Sequence, residues 1–102
     1  MIQVMVRRKG RELDFRMDGH ADFSPGKADI VCAAASMLAY TLMRRLRALL
    51  PEKAFLEERT ESGRLRLLVE LGNAPQAVEA LETIMEGFFL LSEEYPGCVR
   101  VI

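Results

Sequence analysis

The spacing of apolar residues switches between two periods along this chain, and the switch limits the possible folds more than any other feature. In five short runs, apolar residues recur at every second position, as in strands with one buried face. Two longer stretches have instead the 3.6-residue spacing of amphipathic helices. The predicted strands cover about 2–8, 12–18, 54–60, 65–71 and 98–102, and the predicted helices cover 30–50 and 75–95.

The predicted order of elements is ββαββαβ, in which each of two hairpins is followed by a helix and a short strand ends the chain. Strands joined by short turns pair antiparallel, and both helices then need a sheet to cover. We therefore predict an α+β fold with a mainly antiparallel sheet that carries two long helices. A length of 102 residues fits a single domain spanning residues 1–102.

The charge balance and the hydropathy pattern exclude several classes of protein. Lys and Arg number 14 and Asp and Glu number 15, so no broad cationic field is available and we expect no direct nucleic-acid binding. No apolar run approaches the ~18 residues of a membrane span, and the first residues lack the order of a secretory signal. We therefore expect a cytoplasmic protein without membrane attachment.

The two cysteines, Cys32 and Cys98, are too few for the disulfide framework of a small secreted protein, and the chain offers no zinc-ligand spacing. We expect both thiols to be reduced and no metal to be bound. Cys98 alternates with Arg100 in the last predicted strand, and nothing near it in sequence would activate a thiol. We therefore expect Cys98 to pack in the core.

Cys32 lies near the start of the first predicted helix, which can begin in two ways. If Asp29 is the N-cap, Cys32 is the third helical residue, and unpaired N–H groups of the first turn would stabilise its thiolate. If Ser24 is the N-cap and Pro25 takes the first position, Cys32 would be buried in the second turn. Gly26 disfavours that second arrangement. On spacing alone, a thiol followed by three alanines favours simple core packing over a catalytic role.

His20 is the only histidine and follows the second predicted strand, where an irregular segment covering residues 19–28 begins. Long loops in small domains commonly carry function, and their ends collect catalytic and binding residues. A lone histidine is also compatible with a structural or exposed position, and its spacing from Cys32 fits no general rule. Spacing alone therefore leaves the role of this pair open.

A resemblance to a known family adds to these patterns. Gly19-His20-Ala21, a glycine-containing loop and then Asp29-Ile30-Val31-Cys32-Ala33-Ala34-Ala35-Ser36 together resemble the signature of the ribosomal-processing cysteine protease family, known as Prp. The similarity extends over nearly the whole chain and includes the length, the order of elements and an acidic second helix. Many relatives place the loop glycine next to the motif aspartate, whereas Gly26 lies three residues before Asp29.

The resemblance implies a catalytic pair, His20 and Cys32, with Gly19, Asp29 and Ser36 at supporting positions of the motif. It also implies that the protein removes a short N-terminal extension from a large-subunit ribosomal protein in bacteria, as a cytoplasmic homodimer and without a cofactor. Asp29 would cap the helix or orient His20, and we favour capping; Asp22 is a second candidate for orienting His20. The loop residues predicted to form a flexible lid over an extended peptide are Asp22, Phe23, Ser24, Pro25 and Gly26.

Two other functions fit parts of the sequence. A noncatalytic ribosome- or RNA-associated adaptor would use basic side chains such as Arg44, Arg45 and Arg47, but the near-neutral charge and an aromatic content of 7% weaken it. A redox sensor would pair Cys32 with Cys98, which requires the two sulfur atoms within bonding distance. Neither alternative explains the placement of His20.

Overall fold

Alternate side chains along the strands are buried and exposed in turn, as the period-two pattern predicts. The computed structural model describes residues 1–20 and 27–102, and for residues 27–29 it describes the backbone alone. A single 3-10 turn, Glu52–Ala54, precedes the third strand. The other elements are β1 (Ile2–Lys9), β2 (Glu12–Asp18), α1 (Lys27–Leu49), β3 (Phe55–Glu61), β4 (Arg64–Glu70), α2 (Pro75–Glu94) and β5 (Val99–Val101).

The strands form one five-stranded sheet in the order β3-β4-β2-β1-β5. The pairs β1–β2, β2–β4 and β3–β4 are antiparallel, and only β1–β5 is parallel. The predicted α+β fold with a mainly antiparallel sheet and two long helices is therefore confirmed. Because β2 pairs with β4, the end of β2 lies beside the turn between β3 and β4, with Asp18 opposite Arg64.

One hydrophobic core joins the inward side chains of the sheet to both helices. Leu13 and Phe15 of β2 and Leu67 of β4 are fully buried, and they share the core with Leu42 of α1 and Phe88 of α2. Burying side chains of this size contributes about 1.5–3 kcal/mol each to the stability of the fold. The core thereby fixes the position of α1 over the sheet.

The outward side chains of β2, β3 and β4 form ion pairs instead. Asp14 lies 3.1 Å from Arg16 and 3.6 Å from Arg66, and Arg66 lies 3.2 Å from Glu57. The hydrogen bonds from Arg16 hold the pKa of the Asp14 carboxyl below its usual range. Opposite charges on neighbouring strands stabilise their pairing, so this charged face supports the sheet that the helices cover on its other side.

The start of α1 differs from the favoured prediction. The helix already includes Lys27 and Ala28, which are good helix formers, so Asp29 is its third residue and is not the N-cap. Cys32 is consequently the sixth residue, in the second turn, as in the alternative with an earlier start. The Ser24 cap and Pro25 first position of that alternative lie outside the described residues.

The start of α2 also corrects a local expectation. Asn73 and Gln76 are spaced like a capping pair, but the N-cap is Ala74, which makes no side-chain capping hydrogen bond. Pro75 takes the first helical position, where its fixed φ is already helical and its missing N–H is not needed. Among the described residues, the helices fall short of the length and apolar content needed to cross a bilayer.

Candidate active site

A narrow groove of about 220 Å³ lies between the N-terminal part of α1, the end of β2 and the turn joining β3 to β4. It contains the two residues that the sequence predicts as catalytic, His20 and Cys32, together with the supporting residues Gly19 and Ser36. The remaining lining residues are Met17, Tyr40, Thr60, Glu61, Ser62, Gly63, Arg64 and Leu65.

The backbone just before His20 is held at two points. Gly19 donates its N–H to the carbonyl oxygen of Gly63 across 2.8 Å, and the Met1 nitrogen donates to the carbonyl oxygen of His20 across 2.6 Å. Gly19 has a φ of 100°, which residues with a side chain rarely adopt, and a side chain there would overlap the Met1 carbonyl. A residue without a side chain at position 19 therefore allows two backbone segments to approach closely beside His20.

Cys32 is partly exposed, on the face of α1 that lines the groove. Ser36 and Tyr40 follow at one and two helical turns, so the three side chains share that face. Only the first four N–H groups of a helix lack an intrahelical partner, and Cys32 is the sixth residue of α1. The expectation that unpaired amides of the first turn surround its sulfur is therefore wrong.

Ser36 differs from the other serine and threonine residues on the two helices. Thr41 donates to the Met37 carbonyl at 2.6 Å, and Thr83 donates to the Glu79 carbonyl at 2.9 Å. Ser92 likewise bonds back to the carbonyl of Phe89, at 2.7 Å. No such bond within the described part of the chain engages the hydroxyl of Ser36. That hydroxyl is therefore available to the groove.

Two predicted parts of the site fall outside what the structure describes. The lid, Asp22 to Gly26, lies among residues 21–26, and the side chain of Asp29 is likewise not described. The backbone of Asp29 lies inside α1, three residues before Cys32. Contrary to our prediction, Asp29 therefore does not cap α1 but lies within its first turn.

The groove includes residues that sequence reasoning missed. Tyr40 lies two helical turns beyond Cys32. The sequence contained a signal for it, because Cys32, Ser36 and Tyr40 are spaced four residues apart and so share one face of a helix. The turn residues Glu61, Ser62 and Gly63 were predicted only as a connection between strands. Their place beside His20 follows from the pairing of β2 with β4, which no local pattern in the sequence specifies.

Cys98 lies away from the groove and is 1% exposed, so its predicted packing role is confirmed. Neither cysteine forms a disulfide. In the described part of the chain, no three His, Cys, Asp or Glu side chains converge to hold a metal ion. Two larger surface grooves, of about 570 and 680 Å³, are lined by neither histidine nor cysteine, so chemistry and not size identifies the candidate site.

Known proteins with similar sequences and folds indicate the family of this chain. The sequence profile of the family described as cysteine protease Prp matches residues 1–100. The ribosomal processing cysteine protease Prp of Staphylococcus aureus is 27% identical over 100 residues, which cover 98% of this chain and 94% of that protein.

Solved structures of the S. aureus protease have the same fold. Its complex with a substrate peptide superposes with a TM-score of 0.82 at 25% identity, covering 100% of this chain and 98% of that chain. Its complex with a covalently linked product peptide gives a TM-score of 0.79 at 28% identity, covering 99% of this chain and 97% of that chain. With a family match over almost its entire length, a shared fold and a groove that holds a cysteine and a histidine, the chain belongs to the cysteine protease Prp family and is a thiol protease.

Proposed function

We propose that residues 1–102 act as one catalytic domain that cleaves a peptide bond with Cys32 as nucleophile and His20 as general base and acid. The observation that carries this proposal is that both side chains line one narrow groove. They are the chain's only histidine and the only cysteine outside the core. A cysteine with an adjacent imidazole is a common arrangement for nucleophilic catalysis.

In the first half of the reaction, the His20 imidazole takes the Cys32 proton and the sulfur attacks the scissile carbonyl carbon. The carbonyl π electrons move to oxygen and form a tetrahedral oxyanion. Its collapse breaks the C–N bond, and the imidazolium returns its proton to the departing amine. In the second half, His20 takes a proton from water as the water oxygen attacks the thioester carbonyl. The C–S bond of the resulting tetrahedral intermediate then breaks, and the Cys32 sulfur takes the proton back from the imidazolium. No metal or cofactor is needed for these steps.

The tetrahedral oxyanion needs a hydrogen-bond donor, and the position of Cys32 changes which donor is available. The Cys32 amide lies inside the helix, beyond the unpaired first-turn N–H groups. We propose that the Ser36 hydroxyl, one turn further along the same face, donates to the oxyanion. Gly19 supports His20 through its hydrogen bond with Gly63. Asp29 is proposed to support the site from the first turn of α1.

The proposed substrate is a large-subunit ribosomal protein, from which the enzyme removes a short N-terminal extension during ribosome assembly in the bacterial cytoplasm. The support is the S. aureus relative, which is named a ribosomal processing protease and accepts a substrate peptide. Met17, Tyr40 and Leu65 give the groove apolar walls for substrate side chains. Asp22 to Gly26 are proposed to close over the bound peptide as a lid.

We also propose that the enzyme acts as a homodimer, as the family resemblance implies. Leu38 of α1 packs closely against Gly87 of α2, so the two helices lie side by side. Each helix also has large apolar side chains in solvent, among them Met37 of α1 and Leu90 of α2, which are each 60% exposed. Sedimentation equilibrium measures the mass in solution; a concentration-independent monomer contradicts the dimer.

The test of the catalytic proposal uses a ribosomal-protein precursor that carries an N-terminal extension, with the product identified by its intact mass. Unmodified enzyme is expected to release the extension, and Cys32→Ala, Cys32→Ser and His20→Ala are expected to leave the precursor uncut. Cys98→Ala is the matched control, because it removes the other thiol without touching the groove. Processing by Cys32→Ala overturns the protease assignment to this groove.

The same variants separate the protease from the two other functions. An adaptor keeps its binding to ribosomes or RNA in all the groove variants and cuts nothing. A redox sensor loses its response when Cys98 is replaced, whereas the protease keeps processing in Cys98→Ala. If His20→Ala still processes the precursor and Cys32→Ala does not, Cys32 remains the nucleophile and His20 has no part in the mechanism.

A further inference from the structure

The turn between β3 and β4 lies directly against the ring of His20. A Cβ atom placed on Gly63 would lie 2.5 Å from Nε2 of His20, 3.0 Å from Cε1 and 3.2 Å from Cδ2. Separations under 3.0 Å are essentially never seen for real Cβ atoms. The imidazole therefore occupies space that is open only because residue 63 has no side chain.

Two other glycines show that this closeness is not a general feature of the turns. Gly10 and Gly72 also have positive φ, at 61° and 62°, beside 75° for Gly63. A Cβ on either of them would meet nothing within 4 Å. All three positions favour glycine for backbone reasons, and only Gly63 has a second reason, which is the histidine ring.

The same turn also holds the backbone next to the histidine. The carbonyl oxygen of Gly63 accepts the N–H of Gly19, the residue that immediately precedes His20, at 2.8 Å. One residue thus contacts both the ring and the chain that carries it. The His20 side chain is otherwise exposed, so this turn bounds the ring on one side and anchors the backbone that carries it. Such restriction of a catalytic side chain contributes to its preorganisation.

We propose that Gly63 is a positioning residue for His20: its missing side chain leaves the space for the imidazole, and its carbonyl anchors the preceding backbone. The inference rests on the proposed role of His20 in catalysis. Gly63 itself touches no reacting atom, and it acts through the location of the ring. Any side chain at residue 63 displaces the imidazole from its place in the groove.

The experiment compares Gly63→Ala with Gly72→Ala and Gly10→Ala, which impose similar backbone strain without a neighbouring ring. We expect Gly63→Ala to lower kcat/KM on the precursor about tenfold or more, while the two control variants stay within about twofold of the parent. Because His20 is the only histidine, its Cε1 proton gives a single NMR signal. That signal is expected to shift in Gly63→Ala and to remain in place in both controls.

A stability measurement tests the steric contact independently of catalysis. Because the exposed His20 ring can move aside, Gly63→Ala is expected to lower Tm by only about 1–2 °C more than Gly72→Ala. In a His20→Ala background that excess is expected to vanish, since the added methyl group no longer meets a ring. Gly63→Asn serves as a second variant, because Asn tolerates left-handed backbone but carries the same Cβ.

The two proposals fail in different ways. If His20→Ala retains processing, the catalytic role fails, while the shifted NMR signal and the recovery of Tm still establish the steric contact. If Gly63→Ala and Gly63→Asn keep both the parent kcat/KM and the parent His20 signal, the positioning role is overturned and the catalytic proposal stands. The positioning role is also contradicted if Gly63→Ala still lowers Tm more than Gly72→Ala does when both are made in the His20→Ala background.

Discussion

The ring of Phe15 in β2 packs against the ring of Phe88 in α2, with centroids 5.8 Å apart and planes inclined at 41°. Both side chains are fully buried. The contact joins the second helix to the strand whose end carries His20. Offset and tilted aromatic pairs of this kind contribute about 0.5–1.5 kcal/mol beyond the burial of their area.

Phe88→Ala is expected to lower the free energy of unfolding by about 3–5 kcal/mol, because it leaves a cavity against Phe15. Phe89→Ala is the matched control, because the side chain of Phe89 is 45% exposed. We expect this substitution to change the free energy of unfolding by no more than about 0.5 kcal/mol. Urea denaturation followed by circular dichroism gives both values. Equal losses in the two variants would contradict the position of Phe88 in the core.

The two thiols are expected to react very differently with an alkylating reagent. Cys32 is partly exposed and lines the groove, whereas Cys98 is 1% exposed, so the Cys98 sulfur reacts only when the fold opens. Native protein should gain one adduct, at Cys32, and a second only in denaturant. Mass spectrometry of the digested protein locates each adduct. Modification of Cys98 at the rate of Cys32 in native protein is the contrary result.

The pH dependence of stability is expected to reflect Asp14. Hydrogen bonds from Arg16 hold its pKa below the ordinary value of 3.8. A carboxyl whose folded pKa is lowered stabilises the fold at pH values above its unfolded pKa, and the contribution disappears as pH falls through the folded pKa. The difference in unfolding free energy between the parent and Asp14→Asn should therefore be largest near neutral pH, at about 1–2 kcal/mol, and shrink below pH ~4.

Urea titrations at a series of pH values measure this difference. Arg16→Gln removes the first cause of the lowered pKa and should reduce the pH dependence, while Arg66 continues to supply part of it. A difference between parent and Asp14→Asn that stays constant from pH 3 to pH 7 would show that charge at this position has no role in stability.

The elements of the fold were predictable because burial repeats locally along the chain. Leu13 and Phe15, or Leu65 and Leu67, reveal an inward face at every second residue, and the helices show their buried stripe in the same way. The element order then limits how strands and helices can be layered. The boundaries of the elements were predicted less accurately. Asp29 was predicted as the N-cap of α1, but the helix begins two residues earlier, at Lys27.

The composition of the site was only partly predictable, for a different reason. His20 and Cys32 were found because their residue types are rare in this chain and lie in a recognisable motif. Gly63 was missed because its importance depends on the pairing of β2 with β4, a contact between segments far apart in sequence. A glycine in a hairpin turn has an adequate local explanation, so sequence gives no reason to connect it with the histidine.

Replacing Ser36 tests whether its hydroxyl takes part in the reaction. Ser36→Ala removes a donor that lies one turn from Cys32 in the groove, so kcat is expected to fall about 100-fold with little change in KM. Thr41→Ala is the control: it removes a hydroxyl from the same helix that bonds back to the Met37 carbonyl, and kcat should stay within about twofold. Single-turnover rates on the precursor, together with Tm values for both variants, separate chemistry from folding. If Ser36→Ala loses stability but retains the parent rate, the hydroxyl has a packing role and another group must stabilise the oxyanion.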